Sequence, residues 1–219
     1  MRAYDHIEIG EALSKRSVLT HSGEVLRLEH PRPESFKIAD VAKGLSTLIR
    51  FAGQIPRDYT VAQHCVACVR GVLDNWHGDP SDPKLLAALR AALLHEVSEA
   101  YIRDVPTPAK LMMPDYVATE SRIMLIAGVA FGAQLEPLPA IVKAVDSALC
   151  GYEARLFHKD VPADMLDLMF PPADLEIDPE IPAVDWEPRH AREMFLRLWD
   201  VLDGRTDAVE HLRNAFRWY

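Results

Sequence analysis

The sequence predicts an all-α domain with a short β-hairpin near its N-terminus. From Ile38 onward apolar residues recur at steps of three and four, which is the period of amphipathic helices. Before them, two short runs containing valine and leucine flank His21-Ser22-Gly23, and this pattern indicates a hairpin over residues 17–28. We therefore divide the chain into an N-terminal extension over 1–34 and a helical domain over 35–219.

Composition and charge narrow the class of protein. With 219 residues, 49% of them apolar, the chain can bury one sizeable core. Its formal charge of −9 disfavours binding to nucleic acid or to an anionic membrane, so we expect neither as a partner. No run approaches the roughly 20 apolar residues of a membrane span. The N-terminus also lacks the apolar stretch of a signal peptide, and a cytoplasmic protein is expected.

Start and stop signals divide the helical region. Asp82 and Pro83 supply a cap and a first-turn proline, and Pro106 and Pro108 end the helix that follows in an extended turn. A proline- and acid-rich span at 160–188 predicts a long surface segment packed over the body. The predicted helices cover residues 38–49, about 60–76, 83–102, 115–131, 138–158, 189–202 and 206–217.

Ionisable residues are concentrated at the end of the predicted 83–102 helix. His95 and Glu96 are neighbours, Glu99 lies four residues after His95 on the same helix face, and Asp104 stands at the helix exit. Ionisable groups among apolar neighbours need a partner, and a metal ion would satisfy them. Such a set points to metal-assisted hydrolysis, in which some groups hold a cation and others handle the proton of an attacking water.

Other helices supply candidates that would complete such a site. His64 lies in the predicted 60–76 helix, where the alternative is a core histidine bonded to a backbone carbonyl. Asp146 lies in an otherwise apolar helix, where a carboxylate needs a cation or several donors. Arg50 ends the predicted 38–49 helix, and either solvation or phosphate binding suits a guanidinium there. Thr107, between two prolines, is placed by a rigid turn to meet a phosphate.

The order His64, His95-Glu96 and Asp146 resembles the H…HD…D set of the HD-domain metal-dependent phosphohydrolases. The likeness is greatest to the HD-domain 5′-deoxynucleotidases and their phage and bacterial relatives. In that family an arginine followed by an aromatic residue precedes the first histidine, as Arg50-Phe51 does here. The family also shows H-D-x-x-E-A and then D-[LV]-P-T-P-x-K, which are similar to residues 95–100 and 104–110. The resemblance covers roughly residues 35–157.

The resemblance implies an HD-domain helical bundle and a role for each matched residue. The ligands of one divalent metal ion (Co, Mn, Mg, Zn or Fe) would be His64, His95, Glu96 and Asp146. The catalytic residues, which would position and deprotonate a water, would be Glu99 and Asp104. The contacts with substrate would come from Arg50, Phe51, Thr107 and Lys110.

The implied activity is hydrolysis of the phosphate ester of a nucleotide, above all as a 5′-(deoxy)nucleotidase, in a homo-oligomer. One alternative is a deoxynucleoside triphosphate triphosphohydrolase of the same fold. A second alternative is a nucleotide-binding protein with impaired catalysis, because Glu96 stands where the family has aspartate and is one methylene longer. No histidine occurs between residues 97 and 145, which argues against the dinuclear HD-domain oxygenases.

Overall fold

The predicted N-terminal hairpin is confirmed. The structure, a computed structural model, describes residues 16–203 and 208–216. Strands β1 (Ser17–Leu19) and β2 (Val25–Arg27) pair in antiparallel register, and Gly23 in the turn has a φ of 84°, a conformation that favours glycine. The backbone N–H and the hydroxyl of Ser22 both donate to the carboxylate of Asp40, at 2.7 Å each. These bonds tie the hairpin to the first helix.

Helices make up most of the rest, as predicted. They are α1 (Ile38–Leu45), α2 (Val61–Asp74), α3 (Pro83–Leu94), α4 (Glu99–Ile102), α5 (Thr107–Lys110), α6 (Pro114–Phe131), α7 (Ala140–Phe157), α8 (Ala163–Met169), α9 (Glu180–Ala183), α10 (Pro188–Leu202) and α11 (Ala208–Ala215). Single turns of 3-10 helix span Pro33–Ser35 and Phe51–Gly53. Within the described ranges, no helix has the length and apolar character needed to cross a membrane.

Helix α2 forms the centre of the core. Thr60 caps its N-terminus by accepting a hydrogen bond from the backbone N–H of Gln63 at 3.2 Å. The helix packs against α3, α7, α9 and α10, and its side chains are buried on nearly every face. His64, in the first turn of α2, is therefore held in the protein interior with no exposed surface.

The prediction of one continuous helix over 83–102 is wrong in a way that affects the site. Helix α3 ends at Leu94, and residues 95–98 form turns before α4 begins. The backbone N–H of Val97 donates to the carbonyl of Leu94 at 2.9 Å, which is the tighter i→i−3 spacing. His95 Nδ1 lies 2.7 Å from the carbonyl oxygen of Ala92, so a side chain competes with the helix backbone for that acceptor. His95 and Glu99 do not share the face of a regular helix.

The predicted helix over 38–49 also ends early, at Leu45. The hydroxyl of Thr47 donates to the carbonyl of Gly44 at 2.9 Å and competes with the backbone at this helix end. Ile49 then forms an isolated antiparallel bridge with Thr60. Arg50 therefore does not end a helix. It lies in extended backbone beside the start of α2.

The span 160–188 packs over the body, as predicted, although it also contains the short helices α8 and α9. The amide of Gln63 on α2 donates to the carbonyls of Ile181 and Val184, at 2.7 Å each. Nearer the other end of α2, Asn75 donates to the carbonyl of Glu176 at 2.7 Å. Amide side chains of the central helix thus satisfy backbone groups of a segment that has little regular structure.

Helices α1 and α4 approach each other at Gly44, which leads to a prediction about stability. A Cβ at this position would lie 2.7 Å from the Cα, Cβ and carbonyl oxygen of Ala100. We expect Gly44→Ala to destabilise the fold, because overpacking costs about 1–3 kcal/mol. That cost exceeds the roughly 1 kcal/mol that alanine gains over glycine in helix propensity. Thermal unfolding followed by circular dichroism measures the change, with Lys43→Ala on the same helix as the control. An unchanged melting temperature would contradict this packing.

Candidate metal centre

Four ligand-type side chains from separate parts of the chain meet at one point. Among the described residues, the ligand atoms of His64, His95, Glu96 and Asp146 all lie within 4.8 Å of one another. His64 Nε2 is 3.2 Å from His95 Nε2 and 3.0 Å from Asp146 Oδ1. His95 Nε2 is 3.5 Å from the same aspartate oxygen and 3.7 Å from Glu96 Oε1. Helix α2, the turn after α3 and helix α7 supply these groups.

The hydrogen bonds made by Nδ1 of His64 and of His95 determine where each ring carries its proton. His64 Nδ1 lies 2.7 Å from the Glu153 carboxylate, and His95 Nδ1 lies 2.7 Å from the carbonyl of Ala92. Carboxylates and carbonyls only accept hydrogen bonds, so both Nδ1 atoms carry a proton. A neutral ring that is protonated on Nδ1 presents the lone pair of Nε2, here to the other imidazole and to Asp146. Electron-rich atoms this close together need a cation or a proton between them.

The spacing and surroundings of the cluster fit a divalent cation. Ligand atoms about 2.0–2.2 Å from one ion, at ordinary coordination angles, lie roughly 3.0–3.5 Å from each other. The atoms of His64, His95 and Asp146 have this spacing, and Glu96 Oε1 lies slightly farther out, 3.7 Å from His95 Nε2. Two neutral imidazoles and two carboxylates also balance a charge of +2. The histidine side chains are buried, whereas those of Glu96 and Asp146 are 20% and 31% exposed. The cluster thus opens to solvent on its carboxylate side, where a catalytic metal site keeps a position for water or substrate.

Glu153 is a buried residue of the site that the sequence interpretation missed. Its carboxylate has no exposed surface and accepts hydrogen bonds from His64 Nδ1 at 2.7 Å, Arg50 Nε at 2.9 Å and the Tyr59 hydroxyl at 2.8 Å. Burial opposes ionisation, yet Arg50 and His64 hold the pKa of Glu153 below its ordinary value. The signal in the sequence was its position, two helical turns after Asp146 on the same face of α7.

Glu99 and Asp104 form a second group of carboxyls beside the candidate ligands. Burial and the negative charges of Glu96 and Asp104 raise the pKa of Glu99 well above its ordinary value. Burial likewise raises the pKa of Asp104, despite the nearby Arg50. One oxygen of Glu99, Oε2, is buried without a hydrogen-bond partner among the described residues. A buried carboxyl with a free oxygen and a raised pKa is suited to receive a proton.

The four predicted substrate contacts lie in different surroundings. The guanidinium of Arg50 is close to the candidate ligands, with one terminal nitrogen 3.6 Å from Glu96 Oε1. Lys110 Nζ lies 2.7 Å from Glu120 and 3.9 Å from Glu99. The ring of Phe51 packs edge-on against aromatic residues that include Phe157.

Thr107 differs from the other three predicted contacts. It is exposed and begins α5, so the turn that was predicted to be extended passes directly into a short helix. Among the described residues, Thr107 makes no hydrogen bond to His64, His95, Glu96 or Asp146.

Two proteins named as uncharacterized are similar to this chain. YfdR of Escherichia coli (strain K12) is 31% identical over 139 residues, which cover 63% of this chain and 70% of YfdR. The chain belongs to the YfdR family. A protein of Rhodobacter capsulatus is 29% identical over 147 residues, covering 61% of this chain and 69% of that protein. No family model matches the chain. The names of these relatives do not state an activity.

The contacts of Glu153 lead to a prediction for this member of the YfdR family. Glu153→Gln should weaken metal binding roughly 10–100-fold, the usual effect of losing a group that orients a ligand. The amide nitrogen of glutamine would face an N–H of either Arg50 or His64, since both donate to Glu153. Titration calorimetry with Mn²⁺ or Co²⁺ measures the change, and Tyr59→Phe, which removes only one donor, is the control. Equal metal affinity in Glu153→Gln and the parent would contradict this role.

Proposed function

We propose that this chain is an HD-domain metal-dependent phosphohydrolase that cleaves the phosphate ester of nucleotides, acting as a 5′-(deoxy)nucleotidase. The main support for the proposal is the pair of imidazoles on His64 and His95. Their Nδ1 atoms are protonated, and their Nε2 atoms lie 3.2 Å apart beside Asp146 and Glu96. A core that only needed to be filled would avoid placing such atoms in contact. A site that binds a cation brings such atoms together.

The residues present suit a divalent ion held by two imidazoles and two carboxylates. When bound, such an ion supplies Lewis acidity toward a phosphate oxygen and an attacking water. The chain supplies the remaining functions. Glu153 holds Nε of Arg50, and one terminal nitrogen of the guanidinium lies 3.6 Å from the partly exposed carboxylate of Glu96. Arg50 is thereby placed to donate to phosphoryl oxygens and to offset the charge that develops on them.

Proton transfer is assigned to Glu99, with Asp104 as the second carboxyl. The raised pKa of Glu99 makes its ionised form a stronger base than an ordinary glutamate. Lys110, 3.9 Å from Glu99, places a positive charge beside that base, where it can attract an anionic substrate. Phe51, which follows Arg50 and is partly exposed, offers an aromatic surface to the sugar or base.

The test is a panel of ribo- and deoxyribonucleoside mono- and triphosphates with Mg²⁺, Mn²⁺, Co²⁺ and Zn²⁺, with products separated by chromatography. We expect inorganic phosphate and nucleoside from a monophosphate, and no turnover after chelation. Release of intact triphosphate would instead identify a triphosphohydrolase. Nucleotide binding without turnover would identify the impaired binding protein, and an absence of both would overturn the proposal. Asp146→Asn serves as the matched inactive control.

A further inference from the structure

The outward side of α6 and the segment before it carry large apolar side chains. Leu111 and Met112 are 83% and 84% exposed, and Leu125 and Val129 on the helix are 53% and 65% exposed. The inward side of the same helix, which includes Ile123, packs into the core, so folding does not require the outward side to be apolar. Leu125 and Val129 are one turn apart on the same face, and large apolar side chains grouped in this way in water mark an interaction surface.

The spacing of the exposed residues on α6 is that of a surface that packs against another helix. The outward face consists of Asp115, Ala118, Arg122, Leu125 and Val129. These positions alternate steps of three and four residues, as the a and d positions of a heptad do. They form a straight seam along the helix, with a small residue, Ala118, where a second helix can approach closely.

The charges on this seam indicate which partner fits it. Asp115 and Arg122 have opposite signs and lie two turns apart on the same face. Within the described residues neither takes part in a recorded ion pair, although Arg122 is 3.5 Å from the carbonyl of Leu28. If a second α6 runs antiparallel, the acidic end of each seam meets the basic part of the other. The seam is therefore complementary to itself.

We propose that α6 pairs with α6 of a second copy of this chain, antiparallel about a twofold axis near Thr119. In this register each Asp115 lies within one helical turn of the Arg122 of the other copy, and symmetry forms this pair twice. The exposed segment before α6, with Leu111 and Met112, then lies toward the Leu125 and Val129 end of the other copy. The pairing removes the exposed apolar side chains from water and does not depend on the chemistry at the metal centre.

Charge reversal tests the pairing. We expect the full-length chain to be dimeric by sedimentation equilibrium at micromolar concentration. Asp115→Arg alone and Arg122→Asp alone should each raise the dimer dissociation constant roughly tenfold or more, because like charges then face each other twice. An equimolar mixture of the two variants should restore the dimer, because both pairs in the mixed species are again opposite in sign.

Apolar substitutions provide the matched control. Leu125→Asp should also yield a monomer, whereas Leu168→Asp, which changes an equally large and 83% exposed side chain on α8, should leave the dimer intact. Circular dichroism confirms that each variant is folded. A parent chain that stays monomeric at all concentrations would overturn the proposal, as would a dimer that is insensitive to Leu125→Asp and to both charge reversals.

Discussion

Glu99→Gln should reduce kcat by roughly 10²–10⁴-fold, the scale of a lost general base, while metal and nucleotide binding persist. Glutamine keeps the shape of glutamate but cannot accept the proton of an attacking water. Glu99 is buried next to the candidate ligands and has one oxygen without a hydrogen-bond partner among the described residues. Calorimetry with metal and nucleotide, together with steady-state kinetics, separates loss of binding from loss of chemistry.

The pH dependence of turnover gives a second readout on Glu99. Its pKa is raised well above the ordinary value, so the basic form is lost at a higher pH than for an ordinary glutamate. Turnover by the parent should therefore fall as the pH is lowered through that raised pKa, and Glu99→Gln should lack this part of the profile. Glu120→Gln, which alters the other carboxylate beside Lys110, is the control. Unchanged turnover in Glu99→Gln would leave the proton-handling role to Asp104 alone.

Glu96→Ala should abolish metal binding and leave the helical circular dichroism signal nearly unchanged. Glu96 Oε1 lies 3.7 Å from His95 Nε2. Together with Asp146, Glu96 supplies the two negative charges that balance a divalent ion. Its side chain is 20% exposed in a turn between helices, so its removal leaves no large cavity. Binding of Mn²⁺ or Co²⁺ by calorimetry measures the loss.

The conservative substitution at the same position separates ligand chemistry from side-chain length. Glu96→Asp restores the residue of the resembling family and should keep or raise metal affinity. Arg50, 3.6 Å from Glu96, would keep a carboxylate at this position in Glu96→Asp, whereas in Glu96→Ala it would keep its bond to Glu153 but lose the contact at residue 96. Metal binding and turnover by Glu96→Ala at the level of the parent would show that Glu96 is not a ligand.

Local sequence patterns were enough to predict most of the elements. The hairpin depends on short-range pairing around a glycine turn, and α3 begins where Asp82 and Pro83 place a cap and a first-turn proline. The candidate ligands could also be found locally, because ionisable residues on apolar helices are expensive to bury without a partner. The break at His95 could not be predicted in this way, because it involves a side chain competing for the carbonyl of Ala92 within an otherwise helix-favouring run.

By itself, then, the sequence determined an α-helical protein with an N-terminal hairpin and a short set of residues suited to bind a cation. Only the tertiary structure decided which of them meet, and it added Glu153. That carboxylate joins Arg50, 103 residues away in the chain, and His64, 89 residues away. Helical periodicity describes which face of one helix is buried, but it carries no information on which faces of distant helices pack together. The Nδ1 proton of His64, and its meeting with His95 and Asp146, depend on such long-range contacts.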